Sequence, residues 1–430
     1  MIASRLSDWL QKLEQLHPVP IALGLDRIGQ VYARMALDFS NTRVITVAGT
    51  NGKGSVVTLL QNLLLSAGYR VGAYTSPHLQ RYTERVRVNA QEISDELMVA
   101  SFEIVEQHRA AVSLTYFEFG TLAALQHFAG QSLDYLILEV GLGGRLDAVN
   151  IIDPQLTIVT SIDLDHQDWL GNDREAIGLE KAGIFRQGVP VVCGDAKPPE
   201  SLQQHAREHN SPLYLYGREF SLERRADKAL HWRGQSLDGQ PLELHSDQTT
   251  TLLDSNIATA LQALALLPEL GSVDYAALGS GVPGRQELIH YDDIDIVLDV
   301  SHNPAAATSL ASYLSTLPKV ERCCALFGVM ADKDIRAMVA ALKPCFDAWF
   351  LGELTDNPRA KKARELAPIL HEQGIYMISV SKNIRQAFAR AVSLLEPGQR
   401  LVVFGSVFTV AEVKTILDRK RSRRSLEGEI

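Results

Sequence analysis

The sequence predicts an α/β protein of two domains. The first has a mainly parallel sheet with a small β insertion, and the second is a separate α/β domain. Three observations predict this. Arg43-Val44-Ile45-Thr46-Val47-Ala48 is apolar and β-branched, and after a glycine-rich turn Val56, Leu59, Leu60, Leu63 and Leu64 recur at helical spacing. Between Leu213 and Ser246 the chain turns short, polar and alternating. From Ile294 strand-like and helix-like runs alternate afresh. The 430 residues exceed one ordinary core, and the expected division is 1–281, a linker 282–293, and 294–430.

Taken in order, Leu6, Leu10, Leu13 and Leu16 form one helical stripe, and Ile21 to Ile28 reads as a loop. The turn Gly49-Thr50-Asn51-Gly52-Lys53-Gly54-Ser55 joins a buried strand to a helix, the setting of a phosphate loop. Backbone N–H groups can close on a phosphate where no Cβ intervenes. Lys53 adds positive charge, and the Ser55 hydroxyl suits a Mg²⁺ held by the same phosphates. The match to the strict pattern is imperfect, since two residues rather than four precede Gly52-Lys53, and Gly54 follows the lysine. A glycine turn with a solvated lysine is the plain alternative.

Tyr69 to Tyr74 reads as a second strand, ending in Thr75-Ser76-Pro77-His78-Leu79. Asp95 to Ala111 reads as a helix. Thr115-Tyr116-Phe117-Glu118-Phe119 places two aromatics beside a carboxylate, which suits either a flat heterocycle or core packing. Tyr135 to Val140 is a third strand carrying Glu139, a carboxylate that needs a partner such as a metal. Gly141-Leu142-Gly143-Gly144-Arg145-Leu146-Asp147 is a flexible turn. Leu156 to Thr160, a fourth strand, leads to His166, for which a metal and a structural role are both open. Lys181 would by default be a surface lysine. Asp238-Gly239 marks a hairpin turn in the β insertion, and Asn256 to Leu267 returns to helix.

Gly279-Ser280-Gly281-Val282-Pro283-Gly284 fits G-x-G-x-x-G, but it follows a helical stretch and contains Pro283, so it reads as an interdomain linker. Beyond it, Ile294 to Asp299 is a strand, with further strands near 324–328, 348–351, 375–380 and 401–405. The second domain is of Rossmann-like type, with Asp299 and His302 at its first strand end.

The bulk properties bound the function. Apolar content of 46% and 22% charged residues describe a globular chain. A net charge of -9 argues against nucleic-acid binding. No apolar run reaches the ~18 residues of a bilayer span, and the N-terminus lacks a signal-peptide core. Cys193, Cys323, Cys324 and Cys345 have no metal or redox spacing, which suits a cytoplasmic location.

Six motifs in register carry a resemblance: residues 49–55, Ser76-Pro77-His78-Leu79, Tyr116-Phe117-Glu118, residues 141–147, Glu180-Lys181-Ala182-Gly183-Ile184-Phe185, and Asp299-Val300-Ser301-His302-Asn303-Pro304. From about Leu6 to Val413 the chain resembles the folylpolyglutamate synthase/dihydrofolate synthase family of the Mur-ligase superfamily. The resemblance implies a P-loop ATPase-type first domain and a glutamate-ligase second domain. It implies ligation of L-glutamate to dihydropteroate and to the γ-carboxylate of tetrahydrofolate through an acyl phosphate, with ATP and Mg²⁺. By resemblance Ser76, Glu139 and His166 bind the metal and Lys181 is carbamylated. Thr50, Asn51, Gly52, Lys53, Gly54 and Ser55 hold phosphates, with Asn256, Arg285, Asp299 and His302 completing the nucleotide site. The pterin meets Ile21, Ala22 and Leu23, Thr115, Tyr116, Phe117 and Glu118, and Leu146, Asp147 and Ala148. Small-molecule partners and a monomer are expected. The alternatives are a cell-wall Mur ligase, for whose extra domain the residues before Gly49 are too few, and a regulatory P-loop ATPase.

Overall fold

The computed structural model describes residues 5–19, 21–225, 229–267, 273–355 and 357–427. The chain divides into two compact units, Met1–Ser280 and Gly281–Ile430.

The first unit is built on an eight-stranded sheet: β1 (Arg43–Ala48), β2 (Val71–Tyr74), β3 (Val86–Val88), β4 (Gln91–Glu92), β5 (Tyr135–Glu139), β6 (Leu156–Val159), β7 (Val191–Cys193) and β8 (Leu213–Leu215), in the order β4-β3-β2-β5-β1-β6-β7-β8. Every pairing from β2 to β8 is parallel, and β3 and β4 add an antiparallel edge. The central strands are buried along nearly their whole length because helices cover both faces, so they read as unbroken apolar runs. One helical layer includes Leu6–Leu16, Asp26–Met35, Asp95–Arg109 and Tyr116–Ala129, and its core joins Trp9, Leu13, Phe102 and Phe119. The helix Asp26–Met35 was not expected. Its first turn lies in a segment read as loop, and no side chain caps it.

The β insertion is a three-stranded antiparallel sheet, β9 (Ser221–Arg224), β10 (Leu230–Gln235) and β11 (Pro241–Ser246), in the order β11-β10-β9. Its hairpin turn contains Gly239 at φ +80°. Leu213–Leu215 does not belong to it. As β8 it pairs in parallel with β7 and closes the edge of the main sheet.

The second unit carries β12 (Glu287–Tyr291), β13 (Ile294–Leu298), β14 (Cys323–Phe327), β15 (Ala348–Gly352), β16 (Ile378–Ser381) and β17 (Arg400–Phe404), in the order β12-β13-β17-β14-β15-β16. Its pairs are parallel except β12–β13. Here the expectation of a linker at 282–293 is corrected. Residues 287–291 form a strand, joined to β13 by a two-residue turn of Asp292 and Asp293 at φ +45° and +63°. Two adjacent left-handed residues are the geometry that right-twisted strands need in so short a hairpin, and aspartate tolerates it.

Candidate active site

Strand order brings the motifs together. Β1 lies between β5 and β6, and Val47 pairs with Glu139 while Ala48 pairs with Val159. The glycine turn after β1 is therefore flanked by Glu139 on one side and by residues 160–166 on the other. Β2 lies beyond β5, which brings Ser76 alongside Glu139: the Ser76 N–H donates to Glu139 Oε2 at 3.1 Å. All of these lie at carboxyl ends of parallel strands, where open α/β sheets bind ligands.

The turn depends on glycine at two positions. Gly49 has φ +149°, and a Cβ there would collide with Thr160 Oγ1. Gly52 has φ +89°, and a Cβ would run into the Asn256 carboxamide, so the helix Asp254–Ala265 packs directly on the loop. The Thr50 N–H donates to Ser161 O at 2.7 Å, and the Asn51 N–H to Ser161 Oγ at 3.0 Å. Thr50 Oγ1 donates to Asp163 O at 3.2 Å. These bonds fix the loop's shape. Gly54 and Ser55 occupy the first turn of the helix Lys53–Ser66, where the helix itself supplies no acceptor for their N–H groups. Lys53 Nζ donates to Gly49 O at 2.9 Å, holding its charge over the loop.

Glu139 is buried, with a carboxylate oxygen 3.7 Å from where a Gly54 Cβ would sit. Lys181, on the helix Arg174–Ala182, is only 3% exposed rather than a surface residue. Burial lowers its amine to about 7, the nearby Lys53 charge adds to the lowering, and Asp165 partly opposes it. The turn 141–147 is pinned there. Arg145 N–H donates to Glu180 O at 2.9 Å, and a Cβ on Gly144 would press on Lys181 Cα at 3.0 Å. His166 follows Asp165 directly and caps a short helix at φ +51°, a conformation that residues other than glycine seldom hold without a reason.

The three segments assigned to the pterin also meet. Glu118 is buried at the start of the helix Tyr116–Ala129, where Oε2 accepts the Thr115 N–H at 2.7 Å and the Thr115 hydroxyl accepts the Glu118 N–H at 3.2 Å. Arg27 bonds Glu118 Oε1 at 3.0 Å and Ala22 O at 2.6 Å. Gly24 N–H donates to Leu146 O at 3.3 Å. Residues 21–24, 115–118 and 146–148 are thus tied into one cluster. Phe117, half-buried, lies over Gly141, where a Cβ would be 2.6 Å from its ring, and beside Tyr74 with centroids 6.1 Å apart. Asp147 is spent on the backbone. It accepts N–H bonds from Leu142 at 2.8 Å and Val149 at 3.0 Å, and burial pushes its carboxyl up to about 6.

In the second unit, Asp299 Oδ2 accepts the Gln286 N–H and Oδ1 the Ser301 N–H, both at 2.9 Å. This holds Arg285–Gln286 against the end of β13. His302 Nδ1 bonds Val300 O at 2.9 Å.

Sequence reasoning missed Arg27, Asp165 and Ser161. Arg27 sat in a run read as loop, and Asp165 in a string of acids with nothing to single it out.

Residues 47–267 match the Mur ligase middle domain and residues 284–407 the Mur ligase glutamate ligase domain. The chain belongs to the Mur ligase family. Its relatives include the Escherichia coli dihydrofolate synthase/folylpolyglutamate synthase, 41% identical over 98% of this chain and 97% of that one. Among solved structures, E. coli FolC in complex with DHPP and ADP has TM-score 0.89 at 40% identity, covering 97% of this Mur ligase and 99% of that chain. A bifunctional folylpolyglutamate synthase/dihydrofolate synthase with Mn, AMPPNP and L-glutamate bound has TM-score 0.86 at 39% identity, covering 96% and 98%.

Proposed function

We infer that this Mur ligase is an ATP-dependent amide ligase. It adds L-glutamate to dihydropteroate, forming dihydrofolate, and to the γ-carboxylate of tetrahydrofolates, each time through an acyl phosphate. The observation that carries the reading is the convergence of the Lys53 loop and buried Glu139 at neighbouring strand ends, with buried Lys181 within electrostatic reach of Lys53, in a chain alike over nearly its full length to enzymes of that name.

The roles of individual residues are proposals. Gly54 and Ser55 N–H groups, with Lys53, hold the phosphates of ATP and stabilise charge in transfer. Thr50, Asn51 and Gly52 belong to this phosphate-holding loop, and Asn256, Arg285, Asp299 and His302 are proposed to contact nucleotide. The buried carboxylate of Glu139 beside Gly54 suits a hard divalent cation. Ser76, Glu139 and His166 would hold one Mg²⁺ and a carbamate on Lys181 would support a second, and such ions when bound neutralise crowded phosphate charge. Phe117 offers the pterin a ring face, and Glu118 with Arg27 fixes the loops around it. Residues 1–281 are proposed as the ATP-binding domain and 294–430 as the glutamate-ligase domain. Among the described residues no helix is long and apolar enough to cross a membrane. A cytoplasmic monomer without nucleic-acid or membrane partners is part of the proposal.

The test is phosphate release from ATP with dihydropteroate or tetrahydrofolate, each with and without L-glutamate. Release that needs both the pterin substrate and glutamate supports the ligase. Hydrolysis indifferent to glutamate and stimulated by a macromolecule would instead indicate a regulatory ATPase.

A further inference from the structure

The β insertion carries a second set of metal-ligating side chains that shares no residue with the candidate active site. On the antiparallel β10–β11 ladder His231 stands directly opposite His245, and Arg233 opposite Glu243. Alternation along each strand puts all four on one face. Trp232 and Gly234 point the other way, toward Gln262 of the helix Asp254–Ala265. The two imidazoles stack with centroids 4.1 Å apart and planes at 15°. His231 Nε2 lies 3.4 Å from Glu243 Oε2, and His245 Nε2 lies 3.9 Å from the same oxygen. One ligand atom from each of the three residues falls within 4.8 Å of the others.

We propose that His231, Glu243 and His245 form a binding site for a first-row transition-metal ion of the zinc class. Metal–ligand bonds of about 2.0–2.1 Å at tetrahedral angles place ligand atoms roughly 3.3 Å apart. The His231–Glu243 separation already has this value, and His245, whose side chain is 56% exposed, can turn to complete it. His231 is buried and so fixed, while the two other ligands lie at the surface and leave a way in. Arg233 Nε bonds the other Glu243 oxygen, Oε1, at 3.3 Å, which orients the carboxylate and leaves Oε2 to the metal. Glu223 on β9, opposite His231, adds negative charge to the same face. Two imidazoles discriminate against Mg²⁺, which prefers oxygen ligands, so this site and the catalytic one would take different ions. A bound ion would clip β10 to β11 and stabilise the insertion.

The test uses the full chain, stripped with a chelator and kept in excess Mg²⁺. Calorimetric titration with Zn²⁺ should show one equivalent that Mg²⁺ does not displace, and thermal melting should rise with Zn²⁺. His245→Ala and Glu243→Gln, both at half-exposed positions, should each weaken Zn²⁺ binding by about tenfold or more. His245→Ala should keep Mg²⁺-dependent turnover. Co²⁺ in place of Zn²⁺ should give visible absorption that the doubly substituted chain lacks. The proposal is overturned if the doubly substituted chain binds Zn²⁺ as the natural one does, or if no Mg²⁺-resistant equivalent appears.

Discussion

Lys53 and Lys181 are two lysines within electrostatic reach of each other that the fold treats differently. Lys53 stays over the phosphate loop through bonds to Gly49 O and Thr50 O. On the proposed role of that charge, stabilising the transferring phosphoryl group, Lys53→Ala should lower turnover on the order of 10²-fold with the fold intact. Near-normal turnover of a folded Lys53→Ala protein would remove the loop from the chemistry. Lys181, buried and lowered to about 7, is roughly half neutral at neutral pH, whereas an ordinary lysine is neutral to only about one part in 10³. Only the neutral amine reacts with CO₂, so carbamylation is expected to rise with pH through about 7. A carbamate carbon resonance from ¹³C-bicarbonate, absent in Lys181→Gln, checks this. The stability sign follows. The unfolded chain binds the extra proton between about 7 and the ordinary lysine value of 10.5, so the unmodified protein gains stability as pH rises through that window.

At the scale of elements, the helix Tyr116–Ala129 positions the cluster proposed for the pterin by its first turn. Thr115 and Glu118 satisfy each other's N–H groups, and Arg27 carries the tie onward to Ala22. The Glu118 side chain is 4% exposed, so removing Arg27 leaves a buried carboxylate short of its cation. Arg27→Gln should raise the Michaelis constant for dihydropteroate by about tenfold while leaving that for ATP near normal. Arg27→Lys should recover only part, because the guanidinium faces both Glu118 oxygens, Oε1 from Nη2 at 3.0 Å and Oε2 from Nε at 3.5 Å, and a single ammonium lacks that planar fork. Steady-state kinetics of both variants decide it, and equal losses for ATP and pterin would count against the assignment. Arg27 also marks where the sequence was silent. The apolar strands β1, β5 and β6 and the glycine turn were legible because burial on both faces leaves unbroken β-branched runs. The Asp26–Met35 helix was not, since it lacks a side-chain cap and follows Gly24 and Leu25 without punctuation. Strand β12 was hidden by a two-aspartate turn that carries no glycine. Of the candidate site, motif likeness singled out the residues proposed for it, but the burial of Lys181 and the tie between residues 21–24 and 115–118 arise only from tertiary contacts.

At the scale of the whole molecule, the proposed function has the glycine-lysine loop at residues 49–55 serve two acceptors, dihydropteroate and tetrahydrofolate. Chemistry at the loop is common to both ligations, so Lys53→Ala should depress both in parallel. Recognition of the ring need not be common. Both acceptors carry a pterin, but the folate's reactive carboxylate lies a glutamate farther from it. If both carboxylates meet the same phosphoryl group, the two rings cannot occupy the same place. Phe117 can distinguish them, because its ring is pinned over Gly141 and beside Tyr74 and cannot follow a displaced pterin. Aromatic pairing of this kind contributes about 0.5–1.5 kcal/mol beyond burial, roughly two- to thirteenfold in affinity. Phe117→Ala should therefore raise the Michaelis constant for dihydropteroate by that factor or more, with that for ATP unchanged and tetrahydrofolate elongation less affected. Parallel kinetics with the two acceptors on the same preparation measure the split. Equal losses would mean a single shared pose, and no loss with either would return Phe117 to a packing role.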